Sequence, residues 1–180
     1  MDEVQSGMGR TGKFFAYEHY AVKPDIVALA KGLGGGVPIG AMLAREPAAS
    51  TFTPSDHAST FGGTPVAAAA AVAALEAIKD EKLLARATEM GDYFMTKLCE
   101  LRGRNPLVAE VRGKGLMLGM DLNQPIAPQV KKACFEKGVL INIASEVTVR
   151  LIPALVISKE EIDKGLGVFE EVLEAVGTEG

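Results

Sequence analysis

The sequence predicts an α/β chain in two parts, a strand-and-loop segment over residues 1–75 and a small α+β unit over residues 76–180. Three observations predict it. Two uninterrupted apolar runs of strand length, residues 26–30 and 39–44, flank a glycine-rich loop, as buried strands do. The Ala-rich stretch 66–78 has a helix-forming composition and almost no polar face. Beyond Pro106, strand-length apolar runs alternate with helical ones, and the last helix carries both a cap and an apolar stripe.

Each element follows from local chemistry. Gly7 to Gly12 make a turn, and an aromatic segment, residues 14–20, follows it. Pro24 and Asp25 close that segment before the first strand, residues 26–30, which Lys31 ends. Gly32 to Gly36 form a loop, and residues 39–44 form a second apolar strand. With so little polar surface, the helix over 66–78 is expected to be buried on most sides. A more polar helix runs from about Glu81 to Leu101. Residues 108–111 and 116–122 are strands around a Gly113-Lys114-Gly115 turn. A helix over 127–137 stops at Gly138, which suits a left-handed cap, and strands over 139–142 and 147–152 come next. In the final helix Ser158 and Glu161 form a capping box, and Ile162, Leu166, Phe169, Leu173 and Val176 form one stripe.

Composition narrows the function. With 48% hydrophobic and 23% charged residues the chain can build a core. A net charge of −4 with scattered Lys and Arg argues against a binder of nucleic-acid backbones. Cys99 and Cys134 lie in helical stretches without metal-ligand spacing, so they read as two buried free thiols of a reducing compartment, and no metal site is expected. No apolar run approaches the roughly 20 residues of a membrane span, and Met1-Asp2-Glu3-Val4-Gln5 is no signal peptide. The reading is a cytoplasmic protein without membrane or nucleic-acid partners.

Several residues could carry chemistry. Lys31 ends an apolar strand and precedes a glycine-rich loop. A lysine at the mouth of an apolar pocket loses hydration, which favours the neutral, nucleophilic amine that Schiff-base chemistry requires; the alternative is a lysine leaving a strand end into water. The loop Gly32-Leu33-Gly34-Gly35-Gly36 lacks the Lys and Ser/Thr order of a nucleotide-binding P-loop. Ser59, Thr60, Gly62 and Gly63 precede the Ala-rich helix, where hydroxyls and free amides either hold a phosphate or cap the helix. Arg150 lies inside an apolar strand and needs an anion, either a protein carboxylate or a ligand carboxylate. His19 and His57 show no partner pattern.

In combination these segments resemble one family along essentially the whole chain, the class III pyridoxal-phosphate aminotransferases. Asp2-Glu3-Val4-Gln5-Ser6-Gly7-Met8-Gly9-Arg10-Thr11-Gly12 is similar to the family's cofactor strand and the turn after it. Pro24-Asp25-Ile26 through Lys31-Gly32-Leu33-Gly34-Gly35-Gly36, then Pro38-Ile39-Gly40-Ala41, resembles its Schiff-base segment. His57-Ala58-Ser59-Thr60-Phe61-Gly62-Gly63-Thr64-Pro65 resembles its phosphate loop, with Ala58, Phe61 and Thr64 departing from the common Gly, Tyr and Asn. Val111-Arg112-Gly113-Lys114-Gly115-Leu116-Met117 and Val149-Arg150-Leu151-Ile152-Pro153 resemble its small-domain motifs.

The resemblance implies a fold type I transferase of the α/β class, with a remnant of the large-domain sheet over 1–75 and the small carboxy-terminal domain over 76–180. It implies pyridoxal 5′-phosphate as cofactor, with Lys31 as the Schiff-base lysine that also moves protons. Asp2 would pair with the pyridinium nitrogen, Gln5 would bond the ring's phenolic oxygen, and Val4 would pack on one ring face. Thr60, beside Ser59, would reach the phosphate across a homodimer interface. Arg150 would hold the α-carboxylate of an amino-acid substrate. The run Gly138-Val139-Leu140-Ile141-Asn142, with Arg150-Leu151-Ile152-Pro153, points to the acetylornithine type, which moves an amino group from N-acetylornithine or a similar ω-amine to 2-oxoglutarate in arginine biosynthesis. Ornithine and 4-aminobutyrate aminotransferases are the near alternatives, and a non-catalytic folded fragment is the alternative of a different class. Asp2 stands beside the first methionine with no strand before it. The family's first half, which carries a second phosphate loop and the aromatic on the other ring face, is therefore expected to be missing.

Overall fold

The computed structural model describes residues 1–178, which form two compact units, one over Met1–Ala85 and one from Arg86 onward. In the first unit β1 (Ile26–Leu29) pairs antiparallel with β2 (Ala41–Ala44), with Val27 opposite Leu43 and Leu29 opposite Ala41. Residues at the amino terminus lie along the other edge of β1 in parallel, bridged at Asp2 and Ala28. A 3₁₀ turn, Lys31–Gly34, follows β1, and α1 (Pro65–Asp80) packs against that turn.

Both strands are shorter and wetter than the apolar runs suggest. Val27 and Leu29 are buried, but Ile26 and most of β2 are exposed, and Ala30 leaves the ladder. The helix expected to be buried on most sides covers only Ala67, Ala71 and Ile78, and Val66 is 75% exposed. Apolar composition states what a surface could bury; within this unit there is too little partner surface to bury it. Met42, Leu43, Phe52 and Phe61 also stand exposed, Phe61 at 82%.

The second unit has a core of its own. Its sheet has the order β3-β4-β6-β5, all antiparallel: β3 (Val108–Lys114), β4 (Met117–Leu122), β5 (Asn142–Ile143) and β6 (Thr148–Leu151). Leu118, Met120, Leu122, Val149 and Leu151 alternate inward and meet α2 (Leu83–Arg104), α3 (Ala127–Glu136) and α4 (Lys159–Thr178) through Leu98, Val130, Ile162, Phe169 and Leu173. The expected strand over 139–142 shrinks to a two-residue β5, because Val139 and Leu140 serve as the exit from α3, where Gly138 takes φ +81°. The capping box on α4 forms as the sequence predicts: Ser158 N–H donates to Glu161 Oε2 at 2.8 Å, and Glu161 N–H donates to Ser158 Oγ at 3.2 Å. Cys134 is buried, and burial pushes its thiol up to about 11. Cys99 is exposed, contrary to the expectation of two buried thiols, because it lies on the outer face of α2. Among the described residues no helix is long and apolar enough to cross a membrane.

One contact sets how closely α2 approaches the β3–β4 turn. A Cβ on Gly91 would lie 2.4 Å from the backbone of Gly115, which nothing flexible can relieve. Gly91→Ala is expected to destabilise the second unit by about 1–3 kcal/mol, as overpacking does. Gly167, on α4 with open space where its Cβ would be, offers the contrast. Gly167→Ala is expected to stabilise by up to about 1 kcal/mol through helix propensity. Urea unfolding followed by far-UV circular dichroism checks both; equal effects would contradict the packing argument.

Candidate functional site

The site is built on the pairing at β1. Ala28 N–H donates to the Met1 carbonyl and Glu3 N–H donates to the Ala28 carbonyl, each at 3.0 Å. Because the pairing is parallel, both chains leave the ladder at the same edge. Asp2, Val4 and Gln5 follow from one strand, and Ala30 and Lys31 from its neighbour. Sites in parallel sheets gather at this carboxyl edge, where side chains leave the ladder in a common direction.

Asp2 is exposed, and its Oδ1 accepts the Val4 N–H at 2.9 Å, an Asx turn that bends the chain away from β1. Its second oxygen has no partner among the described residues. Val4 and Gln5 are half-buried beside it. Lys31 sits at φ +46°, a left-handed conformation that a non-glycine residue adopts at a cost of about 1–3 kcal/mol, and such strain concentrates at functional sites. Its turn is anchored from below. Leu33 is buried and its N–H donates to the Ala30 carbonyl at 3.0 Å. A Cβ on Gly34 would lie 2.9 Å from Ile39 Cγ2. The Lys31 side chain itself is exposed, so the apolar pocket mouth expected from its position is not closed by this chain.

Ser59 and Thr60 lie in an exposed turn ahead of α1, and neither caps it: Thr64 is the N-cap residue and makes no side-chain cap bond. Where α1 meets the Lys31 turn, the contact is at Ala74, whose Cβ lies 3.4 Å from an added Cβ on Gly35. Ala74 is roughly 14 Å along the helix from its start at 1.5 Å per residue, and no hydrogen bond links Ser59 or Thr60 to that turn. His19 is engaged by Thr11, and His57 is exposed.

Arg150 belongs to the second unit. On β6 the neighbours Val149 and Leu151 point into the core, so Thr148 and Arg150 occupy the opposite face of the sheet. Arg150 pairs across the ladder with Gly119 on β4 and Asn142 on β5, and Gly119 in turn pairs with Arg112 on β3. The two arginines of this row differ. Arg112 forms a bidentate pair with Asp121, and Thr148 Oγ1 donates to the same carboxylate at 2.7 Å. Among the described residues the Arg150 side chain has no hydrogen bond or ion pair. It lines a cavity of about 490 Å³ with Asn142, Leu151, Ile152, Pro153 and Glu161. No protein carboxylate among the described residues is bonded to this guanidinium.

One buried group escaped the sequence reading. Glu3 is 3% exposed, with both carboxylate oxygens hydrogen-bonded. The signal was present, because residues 2 and 3 of an extended segment point to opposite faces, so an outward Asp2 implies an inward Glu3. Among the described residues no group of three His, Cys, Asp or Glu side chains is arranged to hold a metal.

The Arg112 hydrogen bonds, and then the Thr148 hydroxyl, hold the Asp121 carboxyl below its ordinary range. A lowered folded value means that the stabilisation is present above about pH 4 and is lost as the pH falls through the depressed value. Arg112 is 47% exposed, so screening limits the effect to about 1 kcal/mol or less. Asp121→Asn is expected to lower stability at pH 7 by that amount and to flatten the acid limb of stability against pH. Urea midpoints from pH 7 to pH 3 check this.

Residues 1–173 match the family model described as Aminotransferase class-III. The chain is 51% identical over 173 residues to the acetylornithine aminotransferase of Aquifex aeolicus, covering 96% of this chain and 44% of that protein. It is 47% identical over 176 residues to the acetylornithine aminotransferase of Caldanaerobacter subterraneus subsp. tengcongensis, covering 98% and 44%. Among solved structures it is similar to the acetylornithine aminotransferase from Elizabethkingia anophelis, with a TM-score of 0.88 and 38% identity over 96% of this chain and 44% of that one. An S-selective transaminase from Arthrobacter sp. matches with a TM-score of 0.93 and 31% identity over 98% and 44%. The chain thus spans about 44% of the length of the curated relatives it matches. By sequence and by fold, it belongs to the class III aminotransferase family.

Proposed function

We propose that this chain is the carboxy-terminal portion of a pyridoxal-phosphate-dependent aminotransferase of the acetylornithine type, acting on N-acetylornithine or a similar ω-amine with 2-oxoglutarate. The observation that carries the reading is the parallel pairing at Ala28, which brings a carboxylate, an amide and a lysine amine to one strand edge. That donor set fits the cofactor. An acid with one uncommitted oxygen suits a protonated ring nitrogen, and an exposed, strained lysine suits an aldehyde. In its first 75 residues the chain would contribute part of the cofactor domain, and in residues 76–180 the small domain. The similarity to acetylornithine enzymes at about half identity favours that substrate over ornithine or 4-aminobutyrate.

When bound, pyridoxal phosphate supplies an aldehyde and an electron-accepting ring. The chain's own groups do the rest. Lys31 Nζ would hold the cofactor and move the proton taken from the substrate's amine-bearing carbon. The Asp2 carboxylate would keep a proton on the ring nitrogen. The Gln5 amide would donate to the ring's oxygen, and Val4 would pack on a ring face. Ser59 and Thr60, which make no hydrogen bond to their own Lys31 turn, would contact the phosphate of a partner subunit in a homodimer. Arg150 takes the substrate α-carboxylate with two parallel N–H donors. This role accounts for its lack of a protein carboxylate.

Titration of the full chain with pyridoxal phosphate, followed by visible absorbance, borohydride trapping and peptide mapping, tests the reading. A visible band and a trapped adduct on Lys31, both lost in Lys31→Ala, are expected; labelling spread over surface lysines would contradict the assignment. Since Lys31, Asp2 and Thr60 all stand open to water here, turnover of N-acetylornithine with 2-oxoglutarate by the isolated chain is expected to be little or none. Turnover that disappears in Lys31→Ala would overturn that expectation.

A further inference from the structure

We propose that Glu3 is a positioning residue: its buried carboxylate clamps the Asp2–Gln5 segment in place, so that Asp2 and Gln5 stand fixed at the carboxyl edge of β1. The inference rests on the reading of Asp2 and Gln5 as the groups that meet the cofactor ring.

All four polar handles of Glu3 are engaged. Its N–H is bound to the Ala28 carbonyl on β1, and its own carbonyl accepts the Gly7 N–H, each at 3.0 Å. Oε2 accepts the Ser6 hydroxyl at 2.6 Å, and Oε1 accepts the Tyr17 N–H at 2.9 Å. The Glu3 carboxylate therefore ties Ser6 to the 3₁₀ turn Ala16–Tyr20, while the Glu3 backbone N–H holds the segment to β1. A buried carboxylate without such donors costs several kcal/mol, so this arrangement persists only while those donors stay in place. Gly7 closes the clamp, since a Cβ there would lie 2.8 Å from the Glu3 carbonyl oxygen and 3.2 Å from the Glu3 Cβ. Ser6 Oγ also lies 3.5 Å from the Asp2 carbonyl oxygen, at the start of the same segment. With Glu3 held inward, Asp2 can only face outward, where its Asx turn to Val4 presents the free oxygen.

The test uses the full 180-residue chain as wild type, Glu3→Ala, Glu3→Gln and Ser6→Ala. Hydrogen exchange without cofactor reads the clamp directly. Glu3→Ala is expected to speed exchange at the Val4, Gly7 and Tyr17 amides by at least about tenfold, the scale of losing a hydrogen bond to a charged group. Amides of α4 serve as the unchanged reference. Glu3→Gln is expected to restore protection to within about threefold, because its amide oxygen still accepts from Tyr17 while its NH₂ donates to Ser6. Ser6→Ala, which leaves the backbone pairing intact, should show the same local loss to a smaller extent even if Glu3→Ala does not fold. The second readout is the affinity for pyridoxal phosphate, expected to weaken about tenfold in Glu3→Ala and to recover in Glu3→Gln.

Unchanged exchange at Val4 and Tyr17 in the Glu3 and Ser6 variants would overturn the proposal. So would altered exchange with unaltered cofactor affinity. If the wild type takes up no pyridoxal phosphate, the functional reading falls, and a local exchange loss rescued by Gln still supports the clamp by itself.

Discussion

The first unit depends on two backbone hydrogen bonds at Ala28. They join residues 1–3 to β1 in parallel, and the direction of that pairing decides which residues share an edge. An antiparallel pairing would send Asp2 and Lys31 to opposite ends of the ladder. With the parallel one, the chain turns away from the strands at Asp2 on one side and at Lys31 on the other. The buried Glu3 and the anchored Leu33 hold the two exits from beneath. Asp2 and Lys31 thus stand on short turns whose bases are anchored and whose tips are open to water.

The second unit solves a different problem. Its antiparallel sheet buries one face under three helices and keeps the other polar, so strand alternation alone sends Arg150 and Thr148 away from the core. On that face Asp121 neutralises Arg112 and is itself oriented by Thr148. Arg150 is left as a cation without a protein anion among the described residues. A guanidinium held on a strand beside a glycine is a better anion receptor than one on a loop, because its fork loses less freedom on binding.

Exposed apolar side chains are concentrated in the first unit, at Met42, Leu43, Phe52, Phe61, Val66 and Val72. The chain spans 44% of its relatives' length, and these side chains are where additional protein surface has apolar area to gain.

Much of this was legible in the sequence. The capping box of α4, its apolar stripe and the left-handed stop at Gly138 depend on neighbours within a few residues, and each formed where local chemistry predicts. The strand pair also formed, but β3 runs on through Gly113 and Lys114 and the turn falls at Gly115 and Leu116. The motifs likewise identified the family, because residue order along the chain carries that information directly. Burial was not legible. The apolar runs at 26–30 and 39–44 and the Ala-rich helix read as interior, yet they are half open, since composition records the capacity to be buried and only a packed partner realises it. Cys99 was misjudged for the same reason. Glu3 is the converse: a charge on paper, it became the most constrained side chain of the site only when residues 6, 17 and 28 closed around it. Sequence by itself determined the kind and order of the main helices and strands and which chemistry their residues can perform. Tertiary structure alone decided which of them meet, because strand direction and burial depend on contacts between residues far apart in the chain.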